Sequence, residues 1–393
     1  MRLVTIILLL AAGILAGTQL GKIAPLVGWY RSGAGFSLVM IGWLAALIAV
    51  FVAVAALPAG WVIHRIGTRK AVVFSFVVLA VGGVALALAA SPWLVLAARL
   101  VEGVGYLLLV IAVPALLSDM SPPAWRGAVL AVWGGFVPIG FAIANFLAAA
   151  VIPTAGEQVF LLWAVGLFAV FAVPSGLLIG RVRDFDAAES DSGETVTLAQ
   201  SLNRNIWLLS LAFGLYVISS IGFFTFMPTF VTETGERFLI SAGVIALLVP
   251  GGNVLAGLML QGREGRFAAR LTVAGFLATA LFAVPAFAAT SPAIATLCAG
   301  VVAVGGGVVA SALFAAIPYF VPRGGSVSIS IGLVAQAGGL GTLVGPPLAG
   351  WIIEVWSWPG LGVFLSLTAA FGIVAALPLA LVRNGPSWQR QQA

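Results

Sequence analysis

Residues 37–90 read SLVMIGWLAALIAVFVAVAALPAGWVIHRIGTRKAVVFSFVVLAVGGVALALAA. Two apolar runs, 37–63 and 71–90, flank a short basic loop that holds Arg65 and Arg69. A membrane-crossing helix needs about 20 mostly apolar residues, and positive charge collects in the cytoplasmic loops between such helices. The stretch therefore predicts two membrane helices joined on the cytoplasmic side.

The same pattern continues along the whole chain of 393 residues, of which 62% are hydrophobic and 8% charged, with a mean hydropathy of +1.18. Soluble domains are about 45–50% apolar and about 25% charged, so this composition excludes a soluble enzyme with a large core and a disordered chain. It predicts an all-α polytopic membrane protein. The predicted spans are residues 3–27, 37–63, 71–90, 93–118, 127–151, 158–180, 204–231, 239–261, 268–290, 293–320, 327–353 and 359–382.

Charge and polarity organise these twelve spans. Alternate connections carry most of the basic residues, which predicts that both termini are cytoplasmic. The longest polar stretch, 181–203, reads as a cytoplasmic linker between two six-helix bundles, 1–180 and 204–393, the second with a short C-terminal tail. Pro114 and Pro318 end corresponding spans 204 residues apart, which supports two homologous halves.

The loop at residues 60–70 and the start of span four carry recognisable motifs. The loop follows the pattern Gly-x-x-x-Asp-Arg-x-Gly-Arg-Arg/Lys, with His64 in the place of Asp, and span four contains Arg-x-x-x-Gly-x-Gly from Arg99 to Gly105. The chain thereby resembles the major facilitator superfamily of secondary transporters. Within it, residues 21–25 and 37–43 resemble a bacterial branch of cyanate- and nitroimidazole-type transporters.

This resemblance implies a cytoplasmic gate in which the loop and the end of span four form a charge cluster that latches the outward-open state. Because His64 replaces the family's acid, the latch is expected to be weak, pH-sensitive or differently built. The implied gate residues are Gly60, His64, Arg65, Gly67, Arg69, Asp119 and Arg126.

Three charged residues lie well inside predicted spans, namely Lys22, Arg99 and Glu102. A charge at mid-membrane is costly, so it marks a functional site by default. In the family fold, spans one and four line the central cavity, so Lys22 and Arg99 are expected to bind a substrate anion there, Arg99 through two parallel hydrogen bonds. The alternative is that Lys22 reaches the interface and that Arg99 and Glu102 form a structural ion pair.

Glu102 is the acidic residue placed deepest within a span, and it shares a helix face with Arg99. We expect it to carry the coupled proton; the alternative is a permanently ionised partner of Arg99.

Hydroxyl, amide and aromatic side chains complete the expected binding site. They favour a small organic anion with some apolar surface, although plain helix packing explains the aromatic residues equally well. The additional residues are Thr18, Gln19, Tyr216, Ser219, Phe223 and Gln336.

The sequence thus predicts a monomeric inner-membrane secondary transporter that takes up a small anion, with protons, by alternating access. The alternatives are a proton-antiporting exporter of drugs or metabolites and a non-transporting, transporter-like sensor or accessory protein. No enzyme activity, cofactor or nucleic-acid partner is expected. One histidine and one cysteine, Cys298, argue against a metal site.

Overall fold

The computed structural model describes residues 2–33, 35–122, 129, 132–133, 135–181, 201–234, 238–261, 265–322 and 327–382. All regular structure in these ranges is helical. The first half holds α1 (Arg2–Gly21), α2 (Val27–Gly33), α3 (Leu38–Ala46), α4 (Val50–Ile66), α5 (Thr68–Ala87), α6 (Pro92–Met120) and α7 (Phe136–Ile179). The second half holds α8 (Arg204–Thr234), α9 (Ala242–Leu260), α10 (Gly265–Ala288), α11 (Pro292–Phe320) and α12 (Val327–Leu381). We call the described residues before 182 the N-half and those from 201 onward the C-half.

Ten helical stretches in the described residues are long and apolar enough to cross a membrane. Two of them, α7 with 44 residues and α12 with 55, are far longer than the roughly 20 residues that one crossing needs. Each contains one non-helical residue, Gly156 in α7 (φ 84°) and Ser357 in α12 (φ 56°). These breaks lie inside the gaps predicted between spans, 151–158 and 353–359.

Helix turns and breaks place the backbone of the N-half. Gly67 separates α4 from α5 with a φ of 89°, a conformation that glycine adopts without steric cost. Between α3 and α4 the chain tightens into a 3₁₀ turn, Leu47–Ala49. A second 3₁₀ turn, Ala24–Leu26, follows α1. Both turns interrupt apolar runs, and the helix ends that they create meet in the site described below.

Contacts between the halves use small residues that let backbones approach closely. A Cβ on Gly42 of α3 would lie 2.5 Å from the carbonyl oxygen of Pro346 in α12, and a Cβ on Gly339 would lie 2.8 Å from the backbone nitrogen of Ala53. On the other side of the molecule, Gly243 of α9 packs against the Phe146 ring of α7.

Candidate functional site

Three charged side chains form the centre of the site, and none has any solvent exposure. The ammonium of Lys22 lies 2.6 Å from one carboxylate oxygen of Glu102, and the guanidinium of Arg99 lies 2.7 Å from the other. Removing an ion from water costs several kcal/mol, which only close pairing and hydrogen bonding repay. One carboxylate between two cations leaves the buried charge cluster (Lys22, Arg99 and Glu102) with a formal charge of +1.

Arg99 is held by the carbonyl groups of two helix ends. Its Nε donates to the carbonyl of Leu44 at 2.8 Å, its Nη2 to that of Ala45 at 3.0 Å, and its Nη1 to that of Gln19 at 2.8 Å. These carbonyls lie in the last turns of α3 and α1, where the helical hydrogen-bond pattern stops. The C-terminal end of a helix also attracts cations, so both chain breaks stabilise Arg99.

Lys22 is joined to the cluster through Gln19 as well as Glu102. Its Nζ donates to Gln19 Oε1 at 2.7 Å, while Gln19 Nε2 donates to Thr18 Oγ1 at 3.1 Å and to the carbonyl of Ala164 at 3.2 Å. Thr18 in turn donates to the carbonyl of Leu15. The structure therefore brings together five predicted site residues, and their polar groups are satisfied inside the N-half.

A pair of glycines in α5 makes room for the Glu102 side chain. A Cβ on Gly82 would lie 2.6 Å from Glu102 Cγ, and a Cβ on Gly83 would lie 3.3 Å from Glu102 Oε1. Sequence reasoning did not assign these glycines to the site. The adjacent pair in the middle of a span is the signal that points to a close approach.

The C-half residues form a second, uncharged group. Tyr216, Ser219 and Phe223 lie on one face of α8 and line a cavity of about 20 Å³. We call this space the hydroxyl cavity, because four of its lining residues carry hydroxyl groups. The complete lining is Tyr216, Ser219, Ser220, Phe223, Phe224, Val249, Thr279, Val302, Ala303, Gly306 and Leu365.

Two aromatic rings make contact across the boundary between the halves. Phe224 lines the cavity, and its ring centroid lies 5.8 Å from that of Phe141 in α7. Phe141 in turn packs on Gly21, which precedes Lys22 in the chain. A Cβ on Gly21 would lie 2.8 Å from Phe141 Cα. The predicted site residues thus fall into two groups on opposite sides of the boundary between the halves.

Gln336 lies apart from both groups and joins the halves directly. Its Nε2 donates to the carbonyl of Ala53 in α4 at 3.2 Å. Its Oε1 is buried and has no hydrogen-bond partner among the described residues.

The described gate residues lie at two places, the turn around Gly67 and the end of α6. Arg65 and Asp119 are exposed at the ends of α4 and α6, and Arg69 donates to the carbonyl of Ile179 at 2.6 Å. Gly60 and His64 belong to α4, but their side chains lie outside the described part of the structure, as does the whole of Arg126.

The C-half repeats the Arg69 contact. Arg270, which lies 201 residues after Arg69, donates to the carbonyl of Ala380 at 3.4 Å, and Ala380 lies 201 residues after Ile179. Sequence reasoning missed this counterpart because the second loop motif is degenerate.

Polar contacts connect the halves near the start of α3, at the end of the α3–α4 segment that is remote from Gly67. The Glu354 carboxylate accepts a hydrogen bond from the backbone N–H of Leu38, which begins α3. Arg31 pairs with Glu233 at 2.7 Å, and Trp358 Nε1 donates to the same carboxylate at 3.3 Å. These contacts close this end of the interface between the halves.

Comparison with known proteins places this geometry in context. The family model described as Major Facilitator Superfamily matches residues 9–339. The gentisate transporter of Corynebacterium glutamicum is 27% identical over 348 residues, which cover 84% of this chain and 76% of that protein. The 3-(3-hydroxy-phenyl)propionate transporter of Escherichia coli K12 is 24% identical over 88% of this chain and 86% of its own length.

Two further similarities differ in extent. The MFS-type transporter criB of Aspergillus cristatus is 36% identical, but over 27% of this chain and 23% of its own length. The crystal structure of a bacterial homologue of the human lysosomal transporter Spinster, inward-facing and unoccupied, matches with a TM-score of 0.68. It is 17% identical and covers 97% of this chain and 95% of that one, so it supports the fold alone.

Proposed function

The chain belongs to the Major Facilitator Superfamily, and on that basis we propose that it is a secondary active transporter that takes up a small organic anion together with protons. Membership and the transporter relatives identify a multi-pass membrane transporter of small molecules, not an enzyme. The anionic substrate, the proton coupling and the inner-membrane location are parts of the proposal. So are the twelve-span topology in two six-helix bundles, the cytoplasmic termini and the monomeric state.

The buried charge cluster carries the proposal. Its formal charge of +1 lies in a region without solvent exposure, where an anion is the natural neutralising partner. Protonation of Glu102 would raise the formal charge to +2 and release one N–H donor each from Lys22 and Arg99. Arg99 suits a carboxylate, because the N–H that its Nη1 donates to Glu102 would become a charge-assisted donor to the anion.

This arrangement links the proton to the anion. The released donors bind the anion only while Glu102 is protonated, and a bound anion stabilises the protonated form by returning the cluster to +1. Coupling of this kind is reciprocal, since each ligand raises the affinity for the other. The charges of the cluster thus support coupling between one monovalent anion and one proton.

The relatives support an organic anion as the substrate. Two of them are named for gentisate and 3-(3-hydroxy-phenyl)propionate, and each match extends over more than four fifths of this chain. The contacts that close one end of the molecule support alternating access, because they cross between the halves and must part when that end opens.

The test is binding and uptake by the purified protein in proteoliposomes, with benzoate and phenylpropionate as anionic probes and benzylamine as the cationic control. We expect an inward proton gradient to drive accumulation of the carboxylates. Arg99→Ala should abolish their binding, whereas Glu102→Gln should retain binding and lose the response to the gradient. Arg204→Ala, which changes an exposed arginine at the start of α8, is the matched control.

Each outcome is informative. Binding of benzylamine alone, or full carboxylate binding by a folded Arg99→Ala protein, would overturn the anion proposal. Unchanged proton-driven accumulation by Glu102→Gln would overturn the role of Glu102 as the proton carrier.

A further inference from the structure

The hydroxyl cavity has the size and polarity of a binding site for one small polar group. Its volume of about 20 Å³ exceeds the roughly 10–15 Å³ that one water-sized group requires. Tyr216, Ser219, Ser220 and Thr279 bring hydroxyl oxygens to a space otherwise lined by apolar side chains. The hydrogen-bonding chemistry of any occupant is therefore decided by these four groups.

Two of the four hydroxyl groups of this cavity donate their protons within the C-half. Ser219 donates to the carbonyl of Tyr216 at 2.9 Å, and Thr279 donates to the carbonyl of Gly275 at 3.3 Å. A hydroxyl has one proton but two acceptor lone pairs, so the capacity left on Ser219 and Thr279 is for accepting. These two oxygens therefore favour an occupant that donates a hydrogen bond.

Close packing brings the backbone of α11 beside Tyr216. Three consecutive glycines of this helix face three different neighbours: Gly305 faces Gly275 of α10, Gly306 faces the Tyr216 ring, and Gly307 faces Val249 of α9. A Cβ on Gly306 would lie 3.3 Å from Tyr216 Cε2. The glycine run thus has a structural reason, which is to bring the α11 backbone against the wall of the hydroxyl cavity.

The position of the hydroxyl cavity relates it to the charged cluster. Phe224 forms part of its wall and contacts Phe141 across the boundary between the halves, and Phe141 packs on Gly21 beside Lys22. A chain of packing contacts through these two rings therefore connects the wall of the hydroxyl cavity with the residue that precedes Lys22. A ligand whose carboxylate meets Arg99 and whose ring lies between Phe141 and Phe224 would direct its far end toward the hydroxyl cavity.

We propose that the hydroxyl cavity is a second substrate subsite, which binds a hydroxyl group at the end of the substrate remote from its carboxylate. The inference rests on the proposed function and narrows its substrate class to hydroxylated aromatic carboxylates. The carboxylate is bound by the N-half, and the hydroxyl group is selected by the C-half.

The experiment compares benzoate with its hydroxy and methoxy derivatives at each ring position, by competition for uptake in proteoliposomes. We expect at least one hydroxybenzoate to bind roughly threefold to tenfold more tightly than the matching methoxybenzoate, because a methoxy group cannot donate the hydrogen bond. Thr279→Val removes the acceptor while preserving shape, and should bring that ratio close to one without weakening the binding of benzoate.

The matched control is Thr272→Val on the same helix. Thr272 is also buried and donates to the carbonyl four residues earlier, that of Ala268, but it does not line the hydroxyl cavity. Its variant should keep the wild-type ratio. If Thr279→Val does not yield folded protein, Tyr216→Phe carries the same test at the opposite wall.

A ratio unchanged in both Thr279→Val and Tyr216→Phe, or changed equally in Thr272→Val, would overturn the subsite while benzoate binding leaves the proposed function intact. Failure of every carboxylate to bind would overturn the proposed function and the subsite with it.

Discussion

Helices α6 and α11 occupy the same place in the two halves of the chain and bury opposite chemistry. Each has 29 residues and begins at a proline that follows a serine, Pro92 in the N-half and Pro292 in the C-half. At the positions of Arg99 and Glu102 in α6, α11 carries Ala299 and Val302, 200 residues on. Arg99 and Glu102 form a closed polar network with Lys22, whereas Val302 lines the hydroxyl cavity.

The difference shows that corresponding helices of the two halves bury different chemistry. A fully satisfied polar network is rigid, and it is costly to disturb in a low-dielectric interior. The buried charges of the described residues are thus concentrated in the N-half, whereas the hydroxyl cavity of the C-half is lined by uncharged side chains.

Removal of Arg99 is expected to have the largest effect on the stability of the N-half interior. Arg99→Ala leaves the carbonyls of Gln19, Leu44 and Ala45 without their donor and Glu102 with one partner fewer. Breaking a buried ion pair from one side costs about 3–5 kcal/mol, and we expect a loss of that size in the free energy of unfolding in detergent micelles. Arg31→Ala, at a side chain that is 50% exposed, should cost less than about 1 kcal/mol. Equal losses in the two variants would contradict the account of the N-half interior.

The sequence predicted the members of the buried charge cluster but not the way in which it is held. The cost of charge in an apolar span singles out Lys22, Arg99 and Glu102, and helical spacing places the latter two on one face. The carbonyls of Leu44 and Ala45 depend on the helix break at Leu47–Ala49, which has no glycine or proline within four residues on either side. Such a break is a product of tertiary packing, and neither composition nor periodicity reveals it.

The helical layout was more predictable than the cavities. The predicted gaps near residues 151–158 and 353–359 contain the breaks at Gly156 and Ser357, since polar and proline residues interrupt the hydrophobic pattern there. The stripe of Tyr216, Ser219 and Phe223 was also visible from helical spacing. Its contact with Thr279 of α10 was not, because a contact between helices distant in the chain leaves no local pattern.

Alanine substitution of one glycine in each half compares the rigidity of the two interiors. Gly82→Ala places a methyl group 2.8 Å from the backbone nitrogen of Glu102, where the network cannot yield, and overpacking of this kind costs about 1–3 kcal/mol. Gly306→Ala places one 3.3 Å from the Tyr216 ring beside the hydroxyl cavity, where the ring can move. The gain in helix propensity of up to about 1 kcal/mol should then offset the contact. Thermal unfolding of the two variants measures the difference in stability. A larger loss of stability in Gly306→Ala than in Gly82→Ala would contradict the greater rigidity of the N-half interior.

The smallest expected effect lies at the boundary itself, in the pair Phe141 and Phe224. Aromatic pairs contribute about 0.5–1.5 kcal/mol beyond the area they bury, so a double-mutant cycle with leucine at both positions should yield a coupling in that range. The pair Phe76 and Phe168 lies within the N-half at a similar centroid separation, 5.7 Å against 5.8 Å, and is the matched control.

Saturating benzoate distinguishes the two pairs. A carboxylate whose ring enters between the halves must part Phe141 from Phe224, so the coupling of that pair should fall toward zero while the coupling of Phe76 and Phe168 stays constant. Both pairs experience the same overall stabilisation by bound benzoate. The difference between the two coupling energies therefore reports the separation of Phe141 from Phe224 at the boundary. If the coupling between Phe141 and Phe224 persists in saturating benzoate, the ring of the probe binds elsewhere. The proposed combination of a charged N-half and a selective C-half in one binding site would then have no structural connection.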